Sequence, residues 1–338
     1  MLFRGRAFDA LCPVIPFISH KERTYPRMNL EWSRVCEACG AVIKGKASEI
    51  QKILACVLAD GHVLLDDVPG VGKTTLAVAL GRLLGLTEKR IQFTPDVLPS
   101  DISGYSYYER ETGNLLFHPG AVDGAQLLLA DEINRASSRT QSALLEVMEE
   151  RQVTVDGRTY LMNRPFLVIA TQNRVGAAGT QPLPYAQMDR FMISLSLGYP
   201  GHEAQVEMLR SRQTEDPLSE LNQLMTAEKV LEHQRLAASV HMDESLLDYI
   251  SRLCIRTREE PALLLGISPR GALMASRLAR AWAYLQGRDY ALPQDVRETL
   301  PDTAAHRLLL TAASLREGKT AKGVLRDIIH SEPSVDHG

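Results

Sequence analysis

The sequence predicts an α/β protein: a central parallel sheet with two inserted hairpins, followed by an all-helical second domain. Three observations lead there. Short apolar runs alternate with helical stretches as far as about residue 200, and a glycine-rich loop joins the first run to a helix. Beyond Gly198-Tyr199-Pro200-Gly201 the pattern is helical almost throughout. This divides the chain into an N-terminal extension (1–30), an α/β core (31–200), a helical domain (201–330) and a tail (331–338).

From Glu31 to Ala59 apolar residues recur at helical spacing, with Ile50, Ile53, Leu54, Val57 and Leu58 on one face. Val63-Leu64-Leu65 reads as a short buried strand. A helix marked by Leu76, Ala77, Leu80, Leu83 and Leu84 follows the loop and stops at Gly85, a good C′ residue. Arg90–Phe93, Leu127–Ala130, Phe166–Ala170 and Phe191–Leu197 supply four more strands, with a helix over Gln141–Glu150. Gly104–Phe117, turning at Thr112-Gly113-Asn114, and Gln152–Met162, turning at Asp156-Gly157, read as inserted hairpins.

Composition narrows the function classes. Hydrophobic residues make up 45% and charged residues 23%, enough to bury a sizeable core. A net charge of −3 argues against a broad nucleic-acid surface. Five scattered cysteines fit a reducing cytosol better than secretion, and no apolar run approaches the roughly 18 residues needed to cross a bilayer. Arg4 and Arg6 precede an apolar stretch from Ala10 to Ile18, but Pro13 and Pro16 interrupt it and no cleavage site follows. Residues 1–27 therefore read as a loosely ordered extension rather than a signal peptide, with Met28 an alternative start.

The chemistry concentrates at strand ends. Val68-Pro69-Gly70-Val71-Gly72-Lys73-Thr74-Thr75 is the core of a Walker A phosphate loop. Its glycines let backbone N–H groups approach anionic oxygens at a helix N-terminus, Lys73 reaches the β and γ phosphates, and the Thr74 hydroxyl suits Mg²⁺. Fifty-eight residues after Lys73, Leu127–Ala130 ends in Asp131-Glu132. Two adjacent carboxylates at a strand end would repel unless a cation held Asp131, which leaves Glu132 to polarise a water for attack on the γ-phosphate. Thr171-Gln172-Asn173 ends a third strand, and Asn173 could hold that water, although asparagine is also an ordinary loop residue. Read alone, Arg190 is a surface arginine. Ser268-Pro269 reads as N-cap and N1, placing Arg270 in a first helical turn against the helix dipole, where ATP or a surface carboxylate would each relieve the conflict.

Taken in order, these motifs resemble the AAA+ ATPases and, within them, the MoxR family, over most of residues 35–315. The specific segments are Val68–Thr75, Leu128–Ala136, Thr140–Glu150, Ala170–Asn173, Leu183–Met192 and Ser268-Pro269-Arg270. The hairpins match that branch's helix-2 and pre-sensor-1 inserts. The resemblance implies a P-loop AAA+ core with a helical lid, binding ATP and Mg²⁺. Lys73 and Thr74 would act as Walker A lysine and Mg²⁺ ligand, and Asp131 and Glu132 as Walker B metal partner and catalytic base. Asn173 would be sensor 1, Arg190 a finger offered to the neighbouring subunit, Arg270 sensor 2, and Val42 and Ile43 the packing for adenine. It also implies a homo-oligomeric ring, a hexamer, that remodels clients or assists their metal loading, often with a von Willebrand factor A domain partner. Asp67 departs from the first Walker A glycine, Arg174 from a usual proline, Tyr185 from a usual glutamate and Ala121 from a usual proline. A chelatase-type ATPase subunit, a DNA motor lacking the expected basic stripe, and a nucleotide-gated scaffold with little hydrolysis are the competing readings. Cys36-Glu37-Ala38-Cys39 has zinc-ligand spacing without a second half, so a half-buried thiol pair is expected, and Met188 and Met192 are expected to pack in the core.

Overall fold

A computed structural model describes residues 29–173, 183–211 and 217–333. The expectations for residues 1–28 and for Arg174 lie outside these. The helical stretch at the start is two helices, α1 (Leu30–Val42) and α2 (Ala47–Leu58), broken where Gly45 takes φ +72°. A Cβ there would sit 2.9 Å from that of Ala204, so only glycine allows the later helix to lie this close.

Strands β1 (Val63–Asp66) and β2 (Glu88–Gln92) are followed by the hairpin β3 (Tyr105–Glu109) and β4 (Asn114–His118). Then come β5 (Leu127–Asp131), the hairpin β6 (Gln152–Val155) and β7 (Arg158–Leu161), β8 (Leu167–Gln172) and β9 (Ile193–Leu195). Five of them form one parallel sheet in the order β2-β5-β8-β1-β9. Parallel neighbours require crossovers, supplied by α3 (Lys73–Leu84), α4 (Pro99–Ser103), α5 (Ser138–Glu150) and the single turn α6 (Tyr185–Met188). Gly85 ends α3 at φ +61°. In the β6–β7 turn Asp156 and Gly157 both have positive φ, the mirror-image turn that suits the twist of a tight hairpin. The two hairpins meet through stacked Phe117 and Tyr160 rings, 4.2 Å between centroids.

The helical region comprises α7 (His202–Ser211), α8 (Ala227–Ala238), α9 (Glu244–Glu259), α10 (Pro269–Leu285), α11 (Pro293–Ala304), α12 (Ala312–Arg316) and α13 (Ala321–Ser331). It also carries one short antiparallel ribbon, β10 (Leu263–Leu265) with β11 (Leu309–Leu310), where chain flanking α9 and α11 is extended. Helices α9, α10, α11 and α13 bury a core of their own around Leu246, Leu253, Val296 and Leu325. Val230, Ala237, Leu278 and Trp282 of α8 and α10 instead complete the core of α1, α2 and one sheet face. Phe93, Leu128, Leu144 and Val168 cover the other face. Among the described residues no helix is long and apolar enough to cross a membrane.

Candidate nucleotide site

The phosphate loop runs from the carboxyl end of β1 into the N-terminus of α3. Gly70 and Gly72 hold φ of +82° and +94°, which side-chain-bearing residues adopt only under strain. A cavity of about 460 Å³ opens over it. It is lined by Gly70 to Thr75 of the loop, by Val42, Ile43, Lys44 and Lys46, and by Tyr199, Pro200, Gln205 and Met208. Val42 and Ile43 are thus beside the phosphate loop, while Val68 and Pro69 shape the loop without lining the cavity. Burial holds the Lys73 ammonium below the usual lysine range, opposed by the carboxylates of Asp67, Asp131, Asp66 and Glu132. An arriving polyphosphate would relieve that cost.

Strand order brings the rest together. Because β8 lies between β5 and β1, the residue after β8 falls between the loop after β1 and the acids at the end of β5. Lys73 Nζ donates to Asn173 Oδ1 at 2.9 Å, and Asn173 Nδ2 donates to Glu132 Oε1 at 2.8 Å. This amide orientation satisfies both charged neighbours. Glu132 has φ +56°, a left-handed conformation uncommon for glutamate, which turns its side chain from the strand toward Asn173.

Four contributors were not singled out by sequence reasoning. The buried Thr171 hydroxyl donates to Asp131 Oδ1 at 2.6 Å and accepts the Glu132 backbone N–H at 2.9 Å, so one side chain orients both acids. Arg90 donates to Asp131 Oδ2 at 2.8 Å. Gln92 and Arg135 donate to Glu132 Oε2 at 3.2 and 2.8 Å. Thr171 had a sequence signal: a hydroxyl ending a strand of otherwise apolar residues needs a polar partner. Gln92 had none, because its role depends on β2 pairing with β5 in the register that sets Gln92 opposite Asp131.

Arg190 and Arg270 do not line the phosphate-loop cavity. They meet in a second cavity of about 330 Å³, with Glu149, Arg151, Arg277 and Asp60 among its lining residues. Both arginines pair with Glu149, Arg190 Nε at 3.3 Å and Arg270 through Nη2. Ser268 caps α10 as expected, its hydroxyl accepting the Gly271 N–H at 3.0 Å, and it also donates to Asp189. Arg307, buried, donates to the same Asp189 carboxylate at 2.7 Å. Asp189 therefore ties the residue before Arg190 to the turn that carries Arg270.

Cys36 and Cys39 are buried free thiols, with Cys39 pushed up to about 12 by burial. Among the described residues no group of three or more His, Cys, Asp or Glu side chains could hold a metal ion by itself. A Mg²⁺ ion bound with a nucleotide needs less, since phosphate and water oxygens supply most of its ligands. Thr74 lines the phosphate-loop cavity and Asp131 ends β5, and their oxygens are the donor type such an ion takes.

Residues 62–193 match the model of the ATPase family associated with various cellular activities (AAA), and residues 255–328 match the AAA lid domain. The chain is 40% identical to the chaperone MoxR1 of Mycobacterium tuberculosis, over 86% of this chain and 78% of that one. The chain belongs to the MoxR family of AAA+ ATPases. The chain is also 42% identical to the protein YeaC of Bacillus subtilis, over 92% of this chain and 96% of that one. A solved chain from Cytophaga hutchinsonii, provisionally described as an ATPase, superposes with a TM-score of 0.83. It is 36% identical, covering 90% of this MoxR-family chain and 95% of that one.

Proposed function

We propose that this protein hydrolyses ATP to ADP and phosphate with Mg²⁺, working as a homo-oligomeric ring, a hexamer, that remodels client proteins or assists their metal loading. The observation that carries the reading is the hydrogen-bonded line Lys73–Asn173–Glu132, at 2.9 and 2.8 Å, which joins the phosphate loop to the candidate base. Lys73 and the loop N–H groups hold the β and γ phosphates. Glu132 accepts the proton of the attacking water, and Asn173, between Lys73 and Glu132, keeps the base aimed at the phosphate end of the pocket. Mg²⁺, held by Thr74 and Asp131, neutralises charge on the phosphate oxygens when bound. Adenine packs on Val42 and Ile43.

Arg190 and Arg270 serve the nucleotide of a neighbouring subunit. Their shared cavity, apart from their own chain's phosphate loop, supports this, as does their common anion Glu149, whose place a γ-phosphate would take. A von Willebrand factor A domain partner and a cytoplasmic setting belong to the same proposal. The setting is supported by the buried free thiols of Cys36, Cys39, Cys56 and Cys254.

Phosphate release by the purified protein tests the reaction, with Glu132→Gln expected to bind ATP and turn over at least about a hundredfold more slowly. ATP binding without turnover in any condition would favour the scaffold reading. Mixing Arg190→Ala with Lys73→Ala protein should restore part of the activity that each lacks alone, and no complementation would refute a finger acting across subunits. Stimulation by DNA that salt abolishes would favour the motor instead.

A further inference from the structure

Asp67 stands where the phosphate-loop motif ordinarily begins with glycine. Its side chain is buried, with 5% of the residue exposed, and both carboxylate oxygens are used. Oδ1 accepts the Val68 backbone N–H at 2.8 Å, inside the loop. Oδ2 accepts the backbone N–H of Gly198 at 2.7 Å, 131 residues further along the chain. The Asp67 carbonyl accepts Lys73 Nζ at 3.1 Å. One residue thus touches the start of the phosphate loop, its lysine and the connector between the sheet and α7.

That connector is a wall of the nucleotide cavity. Gly198 turns at φ +62°, and Tyr199 and Pro200, immediately after it, line the same cavity as Val42 and Ile43. Lys46 Nζ donates to the Tyr199 carbonyl at 3.2 Å, and Lys44 pairs with Glu207 of α7 at 2.7 Å. Asp67 supplies a further link, directly from the phosphate loop. A glycine at position 67 would keep the loop's conformational freedom and remove the tie between the phosphate loop and the wall.

We infer that Asp67 is a positioning residue that couples the phosphate loop to the Gly198–Pro200 wall, so that restoring the motif's glycine weakens binding of the whole nucleotide while sparing its phosphates. The inference rests on the ATP reading of this cavity. A glycine substitution that lowers affinity would run against expectation from the motif alone, and the physical reason is the loss of two charge-assisted hydrogen bonds in a buried setting.

The test is calorimetric binding of ADP and of inorganic pyrophosphate to the full chain and to Asp67→Gly and Asp67→Asn, with melting temperature as a folding control. Asparagine is isosteric and leaves one acceptor for two N–H donors, so it keeps the fold while removing one link. ADP affinity should fall about tenfold or more in Asp67→Gly and by a smaller factor in Asp67→Asn, with pyrophosphate changed by less than about threefold. Equal losses for the two ligands would overturn the coupling and reduce Asp67 to a loop brace. Unchanged ADP affinity in both variants would overturn any role. Lys73→Ala separates the underlying reading: if it leaves ADP binding intact, the cavity is not the nucleotide site, whatever Asp67 does.

Discussion

Replacing Thr171 by valine removes a single hydroxyl from the centre of the site without opening a cavity. The two side chains have nearly the same volume, valine suits a strand, and position 171 is fully buried. Two interactions disappear: the bond to the Asp131 carboxylate at 2.6 Å and that from the Glu132 N–H at 2.9 Å. A hydrogen bond to a charged group contributes about 1.5–3 kcal/mol net and a neutral one about 0.5–1.5. The added methyl group returns up to about 0.8 kcal/mol. The expected net destabilisation is therefore about 2–3 kcal/mol, read by urea denaturation. In phosphate release, kcat should fall at least about tenfold because both acids lose their common anchor, while ATP affinity stays within about threefold because Lys73 and the loop are untouched. Thr171→Ser, which keeps the hydroxyl, should recover most of both quantities. A valine variant of unchanged stability, or a serine variant as slow as valine, would refute the reasoning.

Three further outcomes follow from buried groups. Removing the Asp189 carboxylate in Asp189→Ala leaves the buried Arg307 without a carboxylate, holding only backbone carbonyls, the Met274 sulfur and the His306 ring, so stability should drop by about 3 kcal/mol, and a loss under about 1 would refute a structural ion pair. Burial, and then Arg151, push the His62 imidazole down to about 3, and its ring bonds the Met148 carbonyl and the Val168 N–H in the neutral form. The unfolded chain then binds the extra proton below pH 6.5, so stability falls as pH drops. The share from His62 is about 2 kcal/mol between pH 7 and 5. The wild-type slope should exceed that of His62→Gln by this amount, and identical slopes would refute it. Cys36, Cys39, Cys56 and Cys254 are buried, with their thiols raised by burial, so peptide mapping after treatment with a thiol reagent should find all four unlabelled until the protein is denatured.

The elements whose signal is local were legible from the residues themselves. Gly70 and Gly72 announce a loop that needs left-handed backbone, Gly85 a helix end, Asp156-Gly157 a tight hairpin and Ser268-Pro269 a helix start, because each depends on φ preferences of one or two residues. The break between α1 and α2 was less legible, since apolar spacing runs through it and the reason for Gly45 is the approach of Ala204 from a distant helix. Glu149 was hidden for a related reason. In a helix it reads as one acid among several, and its importance comes from two arginines, 41 and 121 residues away in sequence, that meet it only in three dimensions.

By itself the sequence determined the chemical inventory: a phosphate loop, a strand-end acid pair, an amide and two arginines, in an order resembling the MoxR family. It could do so because these groups are specified by short-range patterns at strand and helix ends. Only the tertiary structure decided which of them act on one another. Placing β8 between β5 and β1 puts Asn173 in hydrogen-bond contact with both Lys73 and Glu132. Docking α10 against the segment around Asp189 sets Arg270 with Arg190 rather than with its own phosphate loop. Strand order and helix docking are fixed by burial summed over the cores, a long-range quantity that no short motif contains.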